Sequence, residues 1–230
     1  MSDAFPVTDQ TRVRRGAARA RYDRATVFSI LDEGLVCHVG LVTPDGEPVV
    51  LPTAYARVGE TLYLHGSAAS RMMLAGAGGQ LCVTVTLVDG VVLSRSAFHH
   101  SMNYRSVVLF GTARSVTSAA EKNAALEALV EHVVPGRTGE TRPPSRKELA
   151  ATTVLALPIE VASAKVRTGP PVEEPQDEAL PHWAGVVPLR LTPLGPVADP
   201  LVPAGLAAPA YVESYRRPTT HSSSGLSHFS

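Results

Sequence analysis

Charge of one sign is missing from this chain: 21 basic residues are matched by 21 acidic ones. No field is therefore available to gather a nucleic-acid backbone or an acidic membrane surface, and neither partner is expected. Cysteine is scarce as well. Cys37 and Cys82 sit inside apolar runs, without the spacing of a metal knuckle or a CxxC redox pair, and read as small buried hydrophobes. Nowhere do about 18 apolar residues follow one another, so no bilayer span is expected. The opening MSDAFPVTDQTRVRR lacks the apolar stretch of a signal peptide, and the expected location is the cytoplasm. A GxGxxG turn after a first strand, a GxSxG elbow and paired carboxylates in a cleft segment are all absent. Nicotinamide binding on a doubly wound sheet, serine hydrolysis and glycoside hydrolysis are thereby set aside.

What the chain does have is a moderately apolar composition, 44% hydrophobic and 18% charged, over 230 residues. That suits one good-sized domain with a buried core. Residues 1–16 are polar and basic and are expected to form a poorly ordered arm. Residues 17–33 carry apolar side chains at helical spacing, with Gly34 as a stop. The period then changes to two. Strands are expected over 35–42, 48–58 and 61–65, over 80–88 and 91–94 with Asp89-Gly90 as a turn, and over 104–117 and 152–166. Short helices are expected from 71 to about 77, from 118 to about 134 with Ser118 and Glu121 in a capping-box arrangement, and over 145–151. Residues 186–189 suggest an edge strand. From 196 to 230 the chain is rich in Pro, Ala and Ser, a tail disordered or laid along the body. The expected fold is mainly β (α+β), a small antiparallel barrel of about six or seven strands with short peripheral helices, spanning 17–195.

Three clusters could carry chemistry. Leu62-Tyr-Leu-His-Gly-Ser-Ala-Ala-Ser-Arg71 brings His65, Ser67, Ser70 and Arg71 to a strand-to-helix junction. Free backbone N–H groups, hydroxyls and a guanidinium there suit a phosphate; a plain helix cap and a solvated arginine fit the same spacing. Ala97-Phe-His-His-Ser-Met-Asn-Tyr-Arg-Ser106 crowds His99, His100, Asn103, Arg105 and Ser106 between two strands. Adjacent histidines point apart and no carboxylate or thiol accompanies them, so no metal site is expected and a pocket lining or ordinary loop remains. Trp183, the single tryptophan, lies outside the strand meander, where it covers a flat ligand or packs locally. Lys165 and Arg167 share one face of the last strand and add positive charge there, or simply end it.

Taken together, CHVGLVTPDGEPVVLPTAY (37–55), LYLHGSAASRMM (62–73), SAFHHSMNYRSVVLFGTA (96–113), SAKVRTGPP (163–171) and HWAGVVP (182–188) resemble the pyridoxamine 5′-phosphate oxidase-like flavoproteins, and within them the nitroimidazole-resistance subgroup. The resemblance covers roughly residues 17–190. It implies a split barrel that forms a homodimer with flavin at the subunit interface. FMN is the expected cofactor, FAD the alternative, with haem behind both. By position, Ser70 and Arg71 match the phosphate grip, and Val50, Leu51, Pro52 and Thr53 match the strand along the flavin ring. Arg105 and Ser106 match a strand start reaching the flavin of the other subunit, and Trp183 a late aromatic beside it. His65, Ser67, Asn103 and Lys165 complete the expected cofactor-binding set. The arginine-plus-lysine pattern of true pyridoxamine-phosphate oxidases is missing from 48–55, which speaks against vitamin B6 oxidation. The expected function is a flavin-dependent oxidoreductase for a small organic molecule, with His65 or His99 as proton donor. The alternative is a non-catalytic flavin- or haem-binding protein for storage, sensing or detoxification.

Overall fold

Alternation of inward and outward side chains drives the first hairpin: Cys37, Val39 and Leu41 point into the core, and Gly46 supplies the positive φ of the turn that follows. In this computed structural model, which describes residues 2–218, ten strands form one antiparallel sheet. They are β1 (Ala20–Arg21), β2 (Val36–Val42), β3 (Pro48–Val58), β4 (Thr61–Ser67) and β5 (Gln80–Leu93). Then come β6 (Ser101–Thr112), β7 (Arg114–Ser115), β8 (Thr152–Pro158), β9 (Val161–Arg167) and β10 (Gly185–Pro188). The helices are α1 (Arg24–Glu33), α2 (Arg71–Gly76), α3 (Ala119–Val133), α4 (Arg146–Ala151) and α5 (Ala210–Glu213). The spatial order is β1-β9-β6-β5-β2-β3-β4-β8-β7, with β10 on β5.

The strand β3 is the pivot of the sheet. Its residues 48–54 pair with β2, and 55–58 pair with β4. The far ends meet where β6 crosses β8. A Cβ on Gly111 would come within 2.8 Å of Leu157 Cδ1, so glycine permits that close approach. The interior is filled by Val39, Leu62, Leu64, Val83, Leu109 and Leu157, with Val27, Ile30 and Leu31 of α1 as a plug. Each such side chain contributes roughly 1.5–3 kcal/mol of burial. Asp23 starts α1 by accepting from the Thr26 N–H at 2.8 Å. Gly34 ends it, where a Cβ would strike Val85 and the Tyr55 hydroxyl.

The mainly β split barrel is as expected, but it has ten strands rather than six or seven. Two long runs behave differently from their hydrophobic pattern. Residues 80–93 form one strand with a bulge at Asp89, whose carboxylate turns inward to Arg105, so Asp89-Gly90 is no turn. Residues 152–167 are two strands, because the chain crosses at Ile159-Glu160 from the β4 side to β6. The edge strand expected over 186–189 is β10, which pairs with β5, whereas the two-residue β1 and β7 gave too little pattern to separate them from the longer elements expected over 17–33 and 104–117. The helix expected over 17–33 begins only at Arg24, after a 3-10 turn and β1.

Both ends of the described chain are anchored. Phe5 is buried edge-on to Phe28, with the Arg24 guanidinium over its ring. In the C-terminal segment the Tyr215 hydroxyl donates to the Val133 carbonyl at 2.7 Å, and Arg217 donates to the carbonyls of Asp32, Glu33, Gly34 and His132. Residues 219–230 of the expected tail lie outside the described residues. His132 donates from Nε2 to the Gly34 carbonyl at 2.6 Å and stacks tilted against Tyr55. Burial, with Arg217 nearby, holds its pKa below the usual 6.5. The unfolded chain therefore binds this proton more readily, and the stabilisation present above pH 6.5 is lost as pH falls below it. Urea midpoints are expected to drop between pH 7 and about 5.5, and His132→Gln to flatten that slope. A slope unchanged in the variant would assign the pH dependence to other groups.

Candidate functional site

Where β3 and β4 part company, the sheet opens. Beyond Tyr55 the free edge of β3 carries residues 48–54, and β4 runs on through His65, Gly66 and Ser67 paired only with β8. One side of this opening is thus an unpaired strand edge with backbone groups available for hydrogen bonds. The other side ends in the Ser67–Arg71 turn and α2, which is seated by buried Met72 and Met73. The turn is held by Ser70 N–H to the Ser67 carbonyl at 2.9 Å. The Ser70 side chain makes no capping bond, and the exposed Arg71 forms no ion pair with a described residue. Because α2 has six residues, its dipole is slight, and hydroxyls with the guanidinium carry whatever anion affinity the turn has.

His65 is half-buried on the same strand. Its Nδ1 is shut off from water with no hydrogen-bond partner, and burial holds its pKa below the ordinary value. A neutral imidazole with an unsatisfied buried nitrogen is costly, by about 1–3 kcal/mol, unless another group meets it. This suits a ring that ligates or hydrogen-bonds a cofactor.

The outer face of the sheet is a second feature. Cross-strand register lines up Val50, Gly40, Cys82 and Phe110 in one row, and Pro52, His38, Thr84 and Val108 in the next. Val36, Val42 and Val50 are about half or more exposed on it, at 49%, 63% and 66%. A cleft of about 450 Å³ between Gly40, Val42, Pro48, Val50, Cys82 and Phe110 lies within this face. Gly40, Val42, Cys82 and Phe110 were missed by sequence reasoning. The available signal was that β2 carries Val36 and Val42 at outward positions beside its apolar inner face, a pattern that leans toward a strand covered on both sides.

The structure divides the expected cofactor residues. Val50, Leu51, Pro52, Thr53, His65, Ser67, Ser70 and Arg71 flank the opening. Ser106 and Lys165 are paired on the outer face of β6 and β9, with the Ser106 hydroxyl 3.4 Å from the Lys165 carbonyl. Asn103 is buried and accepts from Arg167 while donating to the Gly169 carbonyl at 3.1 Å. Arg105 points the other way from Ser106, into a buried bidentate network with Glu33 and Asp89. Burial opposes its charge, but those hydrogen bonds outweigh it and hold the proton more firmly than usual. His99 lies 3.6 Å from Glu174, away from the opening's strands, and Trp183 is exposed beside Gly185 at the start of β10. Among the described residues no group of three metal-ligating side chains occurs, and no helix is long and apolar enough to cross a membrane.

Residues 23–166 match the family model described as pyridoxamine 5′-phosphate oxidase. The flavocytochrome Anf3 from Azotobacter vinelandii is 41% identical, with 91% of this chain and 97% of that chain aligned at a TM-score of 0.86. The FAD and haem binding protein from Mycobacterium smegmatis is also 41% identical, covering 84% and 95% of the two chains with a TM-score of 0.80. A candidate 5-nitroimidazole antibiotic resistance protein from Bacteroides thetaiotaomicron shares the fold at 23% identity, with 64% and 86% of the chains covered and a TM-score of 0.54. No curated protein matches the chain.

Proposed function

Because the chain belongs to the pyridoxamine 5′-phosphate oxidase family, we propose that it is a homodimeric redox protein that binds a flavin and a haem and exchanges electrons with a small molecule. The observation that carries this reading is 41% identity along nearly the whole of both chains to a flavocytochrome and to an FAD- and haem-binding protein. FAD takes precedence over FMN on the same ground. The residues present fit both groups. Ser67, Ser70 and Arg71 would hold a flavin phosphate, and the free edge of β3 over 50–53 would meet the ring. His65, neutral and without a partner for its buried nitrogen, is the first choice to face haem iron. A flavin supplies two-electron chemistry and haem one-electron chemistry, so the pair suits stepwise transfer. The exposed valines of the outer face favour a second copy as its cover.

The absorbance spectrum of the purified protein tests this directly. Flavin bands at roughly 375 and 450 nm together with a Soret band are expected. His65→Gln is expected to remove or shift the Soret band and to leave flavin content intact. An unaltered Soret band would reject His65 as the ligand. A colourless protein that takes up neither FAD, FMN nor haem would overturn the reading. Flavin without haem would restore the simpler flavin-dependent oxidoreductase.

A further inference from the structure

Seven of the eighteen arginines of this protein are neutralised where they stand. Arg24, Arg57, Arg95, Arg105, Arg114, Arg137 and Arg142 each face a carboxylate within 4 Å. Of the eleven others, Arg167 is the one that is buried. It is 6% exposed, as buried as Arg105, yet its donors go to Asn103 Oδ1 and to the carbonyls of Gly169 and Pro170, all neutral acceptors. That clamp on the chain leaving β9 explains its hydrogen bonds but not its charge. A buried cation without a counter-charge is unfavourable by several kcal/mol.

The surroundings make the imbalance larger. Lys165 precedes Arg167 by two residues on the same face of β9. Its Cε and the Arg19 side chain both lie against Gly16, about 3.6–3.9 Å from where a Cβ would stand. Burial first, and the Arg19 charge second, hold Arg167 below the ordinary arginine value, with Tyr104 acting in the opposite sense. Across the β6–β9 register Tyr104 stands opposite Arg167 and Ser106 opposite Lys165. Three cations and two hydroxyls therefore share one strip. None of the three cations makes an ion pair with a described residue. Along the sheet β5 and β2 separate this strip on β9 and β6 from β3 and the β3–β4 opening, so the phosphate grip at Arg71 of the same chain is a different place.

We propose that Arg19, Lys165 and Arg167, with the hydroxyls of Tyr104 and Ser106, form a second anion site, built for a phosphate or diphosphate group. Two guanidiniums and an ammonium make charge-assisted bonds to several oxygens at once, a donor set that suits phosphate better than a single carboxylate. The phosphate has two sources, the additional phosphate of a dinucleotide flavin or a separate phosphate-bearing ligand. Only the first source rests on the flavin reading.

The test uses the full chain and inorganic pyrophosphate as probe, by calorimetry at low salt. Arg167→Ala removes the clamp as well and is unsuitable alone, so the half-buried Arg19→Gln and Lys165→Gln carry the experiment. Each is expected to weaken pyrophosphate binding roughly tenfold, with the urea midpoint unchanged. No pyrophosphate binding by the unaltered protein, or binding unaffected in the double variant, overturns the site. FAD and FMN affinities then distinguish the source. A selective loss for FAD assigns the site to the flavin's second phosphate. Unchanged affinities for both flavins, with pyrophosphate binding lost, assign it to a separate ligand. If the unaltered protein binds neither flavin, the cofactor reading fails while the pyrophosphate result still decides the anion site.

Discussion

Arg105→Ala is expected to lower the folding free energy by roughly 3–5 kcal/mol, a large share of what a domain of this size has. The guanidinium reaches Glu33 at 2.5 and 2.8 Å and Asp89 at 2.8 and 2.9 Å, two bidentate pairs inside the barrel. Glu33 closes α1, Asp89 sits in the β5 bulge and Arg105 is on β6, so one side chain fastens three elements. Removing it strands two carboxylates in a place with little water. Urea denaturation monitored by circular dichroism measures the loss. The triple variant Arg105→Met, Glu33→Gln, Asp89→Asn is expected to recover part of it, because no net charge then remains buried. Stability within about 1 kcal/mol of the parent, combined with loss of flavin, would show that Arg105 serves the cofactor instead.

That residue also shows where sequence reading stops. Arg105 and Ser106 are neighbours in the chain and were assigned together, but a strand sends them to opposite faces. Which face was inside depended on partners 72 and 16 residues away, Glu33 and Asp89, which no local pattern connects. The same ion pair hid the bulge, since Asp-Gly after a valine run is otherwise the mark of a hairpin turn. Local signals fared better. Ser118 and Ser145 cap α3 and α4 through the Glu121 and Glu148 N–H groups, and Pro135-Gly136 follow the end of α3. The β2–β3 hairpin was legible because alternation and a turn residue agree there. Residues 2–16 gave no periodic signal, though Phe5 buries itself against Phe28. For the candidate site, His65, Ser67, Ser70 and Arg71 could be read as one cluster because they are nearly contiguous in the chain, and the structure keeps them together at the β3–β4 opening. Cys82 and Phe110, brought beside Val50 only by cross-strand register, were not.

Arg71→Ala, by contrast, is expected to leave the fold alone and to weaken flavin binding by roughly 10- to 100-fold, the worth of one charge-assisted contact to phosphate. Its side chain is exposed and touches no described carboxylate, so nothing in the chain is left unpaired when it goes. Arg71→Lys keeps the charge but loses the planar fork, and an intermediate loss is expected. The decisive comparison is with riboflavin, which has the ring but no phosphate. The unaltered protein should prefer FMN to riboflavin, and that preference should collapse in Arg71→Ala while riboflavin affinity stays the same. Fluorescence quenching of each flavin on titration reads both numbers. Equal losses for FMN and riboflavin would mean that Arg71 acts on the shape of the turn, not on the phosphate. No loss for either would move the phosphate grip away from the Ser67–Arg71 turn, and the strip at Arg19, Lys165 and Arg167 would then be the cationic surface left to hold it.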